Sequence, residues 1–390
     1  SEDLVAAAAD EADLRGTPAE AARLHRILLS SRPLEAGVHL GEALVALGAF
    51  DAALEAFVVA ARQGPEGDLR ARIELGIHRI DRASGRSDAE RSRRLLALGA
   101  GASPATLGNL KVEAAAGLLA AGEAAAAASI LVGADGPCLD DGAASVAAVA
   151  LAVLGRSDQA LALLDEATEA AAKHDVAPGW WVPVQLAAPR IEVLARRGDG
   201  TALRQLANEL RGRSRREGAL HPDADQAHIA EGLADLFAGD GPAAVRSLRQ
   251  AARSARLGSD PAAAGFAECR LVGAMVLAGD VDTARTVLEA VRGSGPAGAL
   301  RGELALARAW IDGLADPTEA RGASDASAMR EVREAGQDRA AALAVLHLRW
   351  RLEPDGSASG EIASGILRVA EGIDGPWAVA ICDQVRGWQE

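Results

Sequence analysis

A chain of 390 residues with a net charge of −14 and only two lysines, Lys111 and Lys173, is poorly suited to bind nucleic acid or an acidic membrane over its surface. Alanine fills nearly a quarter of it, tyrosine is absent and phenylalanine occurs four times; strands want the β-branched and aromatic residues that are thin here, so helices are predicted. Ser1-Glu2-Asp3 has no basic or apolar region of a signal peptide, and the longest nearly apolar run, Ala143 to Leu154, is too short to span a bilayer. The chain starts without methionine and reads as a processed product or a piece of a longer protein.

A comb of turn residues sets the organisation. Gly16, Gly48, Gly85, Gly122, Gly155, Gly198, Gly239 and Gly279 recur at a mean step of about 38 residues. Between them fall Pro33, Pro65, Pro104, Pro137, Pro178, Pro222, Pro261 and Pro296. Each gap holds one helix-length stretch, so the unit is helix, glycine turn, helix, proline-bearing loop. That predicts an all-α, right-handed superhelical solenoid of about ten helix hairpins.

Taken in order, the second hairpin places Leu40, Leu44 and Leu47 on its first helix and Leu54, Phe57 and Val58 on its second, with Asp51 at the cap position. The fifth offers Ser157 or Asp158 as cap, with Leu161 and Leu164 inward. The seventh and eighth share an Ala-Gly-Asp turn followed by an alanine small enough to let two helices touch. Pro18 and Pro242 sit in first-turn positions, where a missing N–H costs nothing.

The stretch 178–198, PGWWVPVQLAAPRIEVLARRG, departs from the pattern. Trp180 and Trp181 cannot both face one core, and Pro189 inside a helix costs about 3 kcal/mol unless compensated. It reads as a long loop covering the stack or as a recognition surface. Arg211, Arg213, Arg215 and Arg216 lie at a helix end, where cations complement the dipole, and read as a solvated terminus. His221, Asp223, Asp225 and His228 could collect a metal, but Pro222 and Asp223 also make an ordinary helix start, and no metal site is assigned. Gly293, Gly295 and Gly298 spell GxGxxG without the preceding strand that a dinucleotide site needs. Cys138, Cys269 and Cys382 read as structural thiols of a cytoplasmic protein.

Past Pro296 the comb loosens. Helices are predicted at 300–314, 329–335, 339–352, 361–371 and 376–388, with the polar stretch DPTEARGASDASAM (316–329) read as a loop. The domain reading is 1–296 regular repeats and 297–390 irregular repeats with a capping helix of the same solenoid.

These small-residue turns, polar caps and fixed Ala and Leu offsets resemble tetratricopeptide repeats. With units near 40 residues, they are similar to the superhelical sensor region of LuxR-type ATP-binding transcription activators of the maltose-regulon kind. That resemblance implies a non-catalytic arm receiving an inducer or partner protein. No phosphate-loop, HExxH or GxSxG signature occurs in the chain, so the reading is a binding module without cofactor. The alternative is a stand-alone scaffold that grips a protein or peptide. Candidate binding residues are Trp180 and Trp181, with Arg190, Glu192, His228, Glu231, Glu268, Arg270 and Trp310 on the face of the first helices, continued by Arg301, Glu303 and Arg308.

Overall fold

The computed structural model describes residues 2–84, 86, 88–132, 141–173, 181–217, 223–257, 261–294, 300–315, 337–352 and 360–389. Among them there are twenty helices and no strand. They form two compact units, Ser1–Ala121 and Gly122–Glu390. The change of regularity expected near 296 falls at 295–299, outside the described residues.

The first unit holds α1 (Glu2–Leu14), α2 (Pro18–Leu28), α3 (Glu35–Ala46), α4 (Phe50–Ala61), α5 (Gly67–Ala83), α6 (Ala89–Ala97) and α7 (Pro104–Ala120). The second holds α8 (Ala124–Leu131), α9 (Asp141–Val153), α10 (Ser157–Lys173), α11 (Trp181–Arg197), α12 (Gly200–Glu217), α13 (Asp223–Phe237), α14 (Gly241–Leu257), α15 (Pro261–Leu277), α16 (Val281–Ser294), α17 (Arg301–Ala315), α18 (Arg339–Leu352), α19 (Gly360–Ala370) and α20 (Pro376–Gln389). In each unit consecutive helices pack as antiparallel pairs, and first helices also pack on one another, α3 on α5 and α5 on α7 in the first unit and α9 through α17 in the second. This is the tetratricopeptide-like helical-repeat organisation that the comb predicts.

The turns explain the glycines. Gly16, Gly48, Gly122, Gly155, Gly198, Gly239 and Gly279 all have φ between +63° and +87°, a left-handed conformation that glycine adopts without penalty. The N–H of the next residue then reaches back five residues, as in Ala49 to Leu44, Arg156 to Leu151, Asp240 to Asp235 and Asp280 to Met275, each at 2.9 Å. These bonds close the helix end and reverse the chain within two or three residues. Gly85 lies outside the described residues.

The aspartates of the turns then start the next helix. Asp199, Asp240 and Asp280 accept from the N–H of Ala202, Ala243 and Thr283 at 2.9, 3.0 and 3.3 Å. The following Ala244 and Ala284 are fully buried, where small side chains let the pair close. Two predicted caps differ. Ala49 occupies the cap of α4 and Asp51 lies inside its first turn. Ser157 and Asp158 are already helical, and position 156 of that turn holds arginine. Their N–H groups are capped from 217 and 216 residues away, by the Asp374 carboxylate at 2.6 and 2.8 Å.

Leu40, Leu44, Phe57 and Leu164 are buried as expected. Leu47, Leu54 and Val58 instead stand 46%, 38% and 40% exposed, because Ala53, Ala56 and Ala60 form the inner face of α4. The 178–198 stretch is helical from Trp181, with Pro189 inside α11, so the long-loop reading is corrected over 181–197. Trp180 and the Trp181 side chain lie outside the described residues. Cys269 is a buried free thiol that burial pushes well above its ordinary pKa, Cys382 is half-buried and free, and Cys138 is outside the described residues. Among the described residues no helix is long and apolar enough to cross a membrane.

Candidate functional site

Because first helices stack on first helices, their inward-facing residues line up at one level of the second unit. Ala195 and Arg196 on α11, Leu236 and Phe237 on α13, Arg270 and Leu277 on α15, and Leu306 and Trp310 on α17 form one wall of a cavity of about 370 Å³. Helix α18 forms the opposite wall with Ala340, Ala341, Ala344, His347, Leu348 and Arg351, and Trp377 of α20 closes one side. The lining thus carries three arginines, one histidine and no carboxylate.

The carboxylates stand behind that wall. Arg196, only 3% exposed at its side chain, lies 3.3 Å from Asp338, 3.7 Å from Glu303 and 3.3 Å from Glu192. Arg270 donates from Nη2 to Glu303 Oε1 at 2.9 Å, with its Nε 2.7 Å from Oε2 and its guanidinium over the Phe266 ring. Two guanidiniums therefore face three carboxylates, of which Glu303 and Asp338 are buried and Glu192 keeps about a third of its side chain in solvent. Burial alone would push Arg196 down, but Asp338, Glu303 and Glu192 outweigh it and hold the guanidinium firmly charged. Glu192 is pushed above its ordinary value by desolvation, against the pull of Arg196 and with repulsion from Glu303 and Asp338. Asp338 also caps α18 through the N–H of Ala341 at 3.0 Å. Gly302 makes its approach possible, since a Cβ there would stand 2.6–2.7 Å from the Asp338 side chain.

Directional contacts seat the closing helices. Besides capping α10, Asp374 donates its own N–H to the Gly155 carbonyl at 2.9 Å. Gln337 Oε1 accepts from Ala125 N–H at 2.9 Å, at the start of α8. Trp377 lies against the turn at Gly198, where a side chain would collide with it. His347 Nε2 is 3.1 Å from Gln384 Oε1, and its ring stacks on Trp350 at 6.0 Å. Burial lowers the His347 pKa, helped by Arg351 and opposed by Gln384.

Of the residues singled out from sequence, Arg270 and Trp310 line the cavity and Glu192 and Glu303 sit in the network behind it. Arg190 turns instead to Asp165 at 2.6 Å, and Glu268 to Arg256 at 2.5 Å. His228 and Glu231 stand 4.0 Å apart on α13, and Glu231 also pairs with Arg211. Arg213 holds the fully buried Asp223 at 2.6 Å. The arginine run is therefore not simply a solvated helix end: two of its four members fasten α12 to α13. The Arg301 side chain lies outside the described residues. Sequence reasoning missed Arg196, Asp338, His347, Arg351 and Trp377, which no local motif marks, and a separate Asp13, His25 and His39 cluster in the first unit.

No protein-family model matches this chain. No curated protein matches it either. Among solved structures it is similar to one described as the crystal structure of the APC/C hetero-tetramer Cut9-Hcn1, at 14% identity and a TM-score of 0.43, over 95% of this chain and 83% of that one.

Proposed function

We propose that the Gly122–Glu390 unit is a receiving module that binds its ligand without transforming it, and that its cavity takes a small organic anion with a flat apolar body. The observation that carries this reading is the composition of the wall: Trp310, Trp377 and Phe237 beside three arginines, with no carboxylate among the lining residues. The volume falls within the range of small-molecule sites. Arg196 and Arg270 are already engaged by Glu303 and Asp338. Arg351 is exposed and makes no ion pair among the described residues, so it is the guanidinium left to meet a carboxylate or phosphate. Aromatic rings supply the apolar contact. His347 adds a polar contact beside them.

In a transcription activator of the kind the sequence resembles, this module is the inducer arm. Ligand held between α18 and α20 on one side and α11–α17 on the other favours the closed arrangement, a shift of population that a neighbouring domain can read. Exposed Arg351 favours one alternative, a partner peptide whose terminal carboxylate enters the cavity while its body stays outside.

Thermal unfolding and tryptophan fluorescence with aromatic carboxylates and their neutral amides test the reading. A carboxylate at 100 times its Kd stabilises by about 2.7 kcal/mol, and the amide does not. Arg351→Gln weakens the carboxylate roughly tenfold, the loss of about 1.4 kcal/mol from a charge-assisted bond. Equal binding of acid and amide sinks the anion reading. A response to carboxyl-terminal peptides alone selects the scaffold.

A further inference from the structure

The first unit carries a second feature, independent of the cavity. Helix α1 is weakly anchored: its buried residues are Ala9 and Ala12, while Leu4 and Leu14 stand 71% and 89% exposed. Two buried alanines supply little apolar cohesion, at about 0.8 kcal/mol per buried CH₂. Val5 and Ala6 pack partly against the core and Arg32 pairs with Glu2 and Asp3 at the N-terminal end of α1, while a polar cluster ties its C-terminal end inward. Asp13 on α1 places Oδ2 2.8 Å from His25 Nε2 on α2 and 2.9 Å from His39 Nδ1 on α3. The two imidazoles stack at 4.9 Å, and the three ligand atoms lie within 4.8 Å of one another.

The geometry points to a site for a zinc-class divalent transition metal, held by Asp13, His25 and His39 and clipping α1, α2 and α3 together. Two imidazoles and a carboxylate are the borderline N/O donor set that such ions prefer. His25 is 3% exposed, whereas Asp13 and His39 keep about a third of their side chains in solvent. One face is thus fixed in the core and another is open for the ion to enter and retain water. The present 2.8–2.9 Å separations are hydrogen-bond lengths. Ligands at about 2.0–2.1 Å around a tetrahedral ion stand roughly 3.3 Å apart, so loading opens the two aspartate–histidine pairs by about half an ångström each, a shift the partly exposed Asp13 and His39 can make.

The surroundings suit a cation. Arg72 Nη2 lies 3.4 Å from His39 Nε2, but Arg72 is held by Glu42 through Nε at 2.9 Å and through Nη2. The Asp13 and Glu42 carboxylates outnumber the one guanidinium, and Asp68 acts on Arg72 from further off. Metal binding to such a set is coupled to the stability of the elements it joins.

The test uses the full chain, treated with chelator and then titrated with ZnCl₂ or CoCl₂. Near-stoichiometric zinc binding by calorimetry, a visible Co²⁺ absorption band displaced by zinc, and a zinc-dependent rise in Tm are expected. His39→Ala and Asp13→Asn should weaken zinc by more than the roughly 10- to 100-fold that loss of an outer partner costs. The Co²⁺ band of the unsubstituted chain decides the matter even where a variant folds poorly. No stoichiometric binding, or binding unchanged in folded His39→Ala, overturns the site and leaves a hydrogen-bonded cluster.

Discussion

Asp374→Ala removes a remote cap, and its cost follows from what the carboxylate touches. At the neighbouring turns Asp199, Asp240 and Asp280 cap their own helices. At the α9–α10 turn the corresponding residue is Arg156, and Asp374 supplies the acceptors to Ser157 and Asp158. Loss of a side-chain N-cap costs about 0.5–2 kcal/mol, and loss of a negative charge at a helix N-terminus adds about 0.3–1 kcal/mol. The expected destabilisation is therefore about 1–3 kcal/mol, read by urea unfolding of the whole chain.

The second half of the argument separates capping from closure. Asp374 is two residues before α20, which carries Trp377 to the cavity. Arg156→Asp gives α10 a local cap of the kind its neighbours have. In the double variant, part of the stability returns, while Trp377 remains less firmly seated and fluorescence shows it more exposed to quencher. If Asp374→Ala costs less than about 0.3 kcal/mol, below any measured cap, the remote-cap reasoning fails. If Arg156→Asp restores the quenching pattern along with the stability, the link between clasp and cavity fails.

Arg196→Met takes the guanidinium away from Asp338 and leaves Glu303 paired with Arg270, and should cost about 3–5 kcal/mol in urea unfolding; Glu192→Gln removes one negative charge from the cluster and should be neutral or stabilising at pH 7. Equal losses in the two would contradict the charge balance. Gly302→Ala drives a methyl against Asp338 and should cost about 1–3 kcal/mol, measurable by thermal unfolding, with Ala305→Gly as a control for helix propensity. In the first unit, burial would raise Glu113, but bonds from His78 and Arg82 and the nearby Arg79 outweigh it and hold the carboxyl at about 2 against an ordinary 4.5. A depressed carboxyl stabilises above the unfolded value, and that contribution is lost as pH falls from 4.5 toward 2. At about 1.4 kcal/mol per unit it amounts to roughly 3 kcal/mol, so Glu113→Gln should flatten acid unfolding across that window.

The helix pairs were legible because the physics that ends a helix is local. A left-handed glycine, a bond reaching back five residues and an aspartate three residues before its N–H partner all fit within one short window. Burial within a helix was less legible. On α4, alanines occur on both sides of the Leu54 and Val58 stripe, so periodicity alone does not say which side faces the stack. Arg270 and Trp310 could be placed on one face by counting back from turn glycines. Their partners could not: Arg196 and Asp338 are 142 residues apart and still 3.3 Å from each other. Nothing around Asp374 marks it as the cap of a helix 217 residues earlier.

Alanine explains why such distant polar contacts matter. Helix α9 buries Ala143, Ala144, Ala147, Ala148, Ala150 and Ala152 beside Leu151 and Val153. A surface this smooth gives cohesion, but sliding along it by one residue loses little at about 0.8 kcal/mol per buried CH₂. Register must come from directional groups: turn caps, the Arg196 network and the Asp374 clasp. Closure of the cavity then depends on contacts worth about 1–3 kcal/mol. A ligand at 100 times its Kd contributes about 2.7 kcal/mol, the same scale. Apolar contacts share the seal, with Leu306 and Ala309 of α17 against Val345 of α18, Ile373 against Gly155 and Trp377 against Gly198. On the proposed reading, occupancy then bears on the seating of the closing helices, and the cavity and the clasp act together.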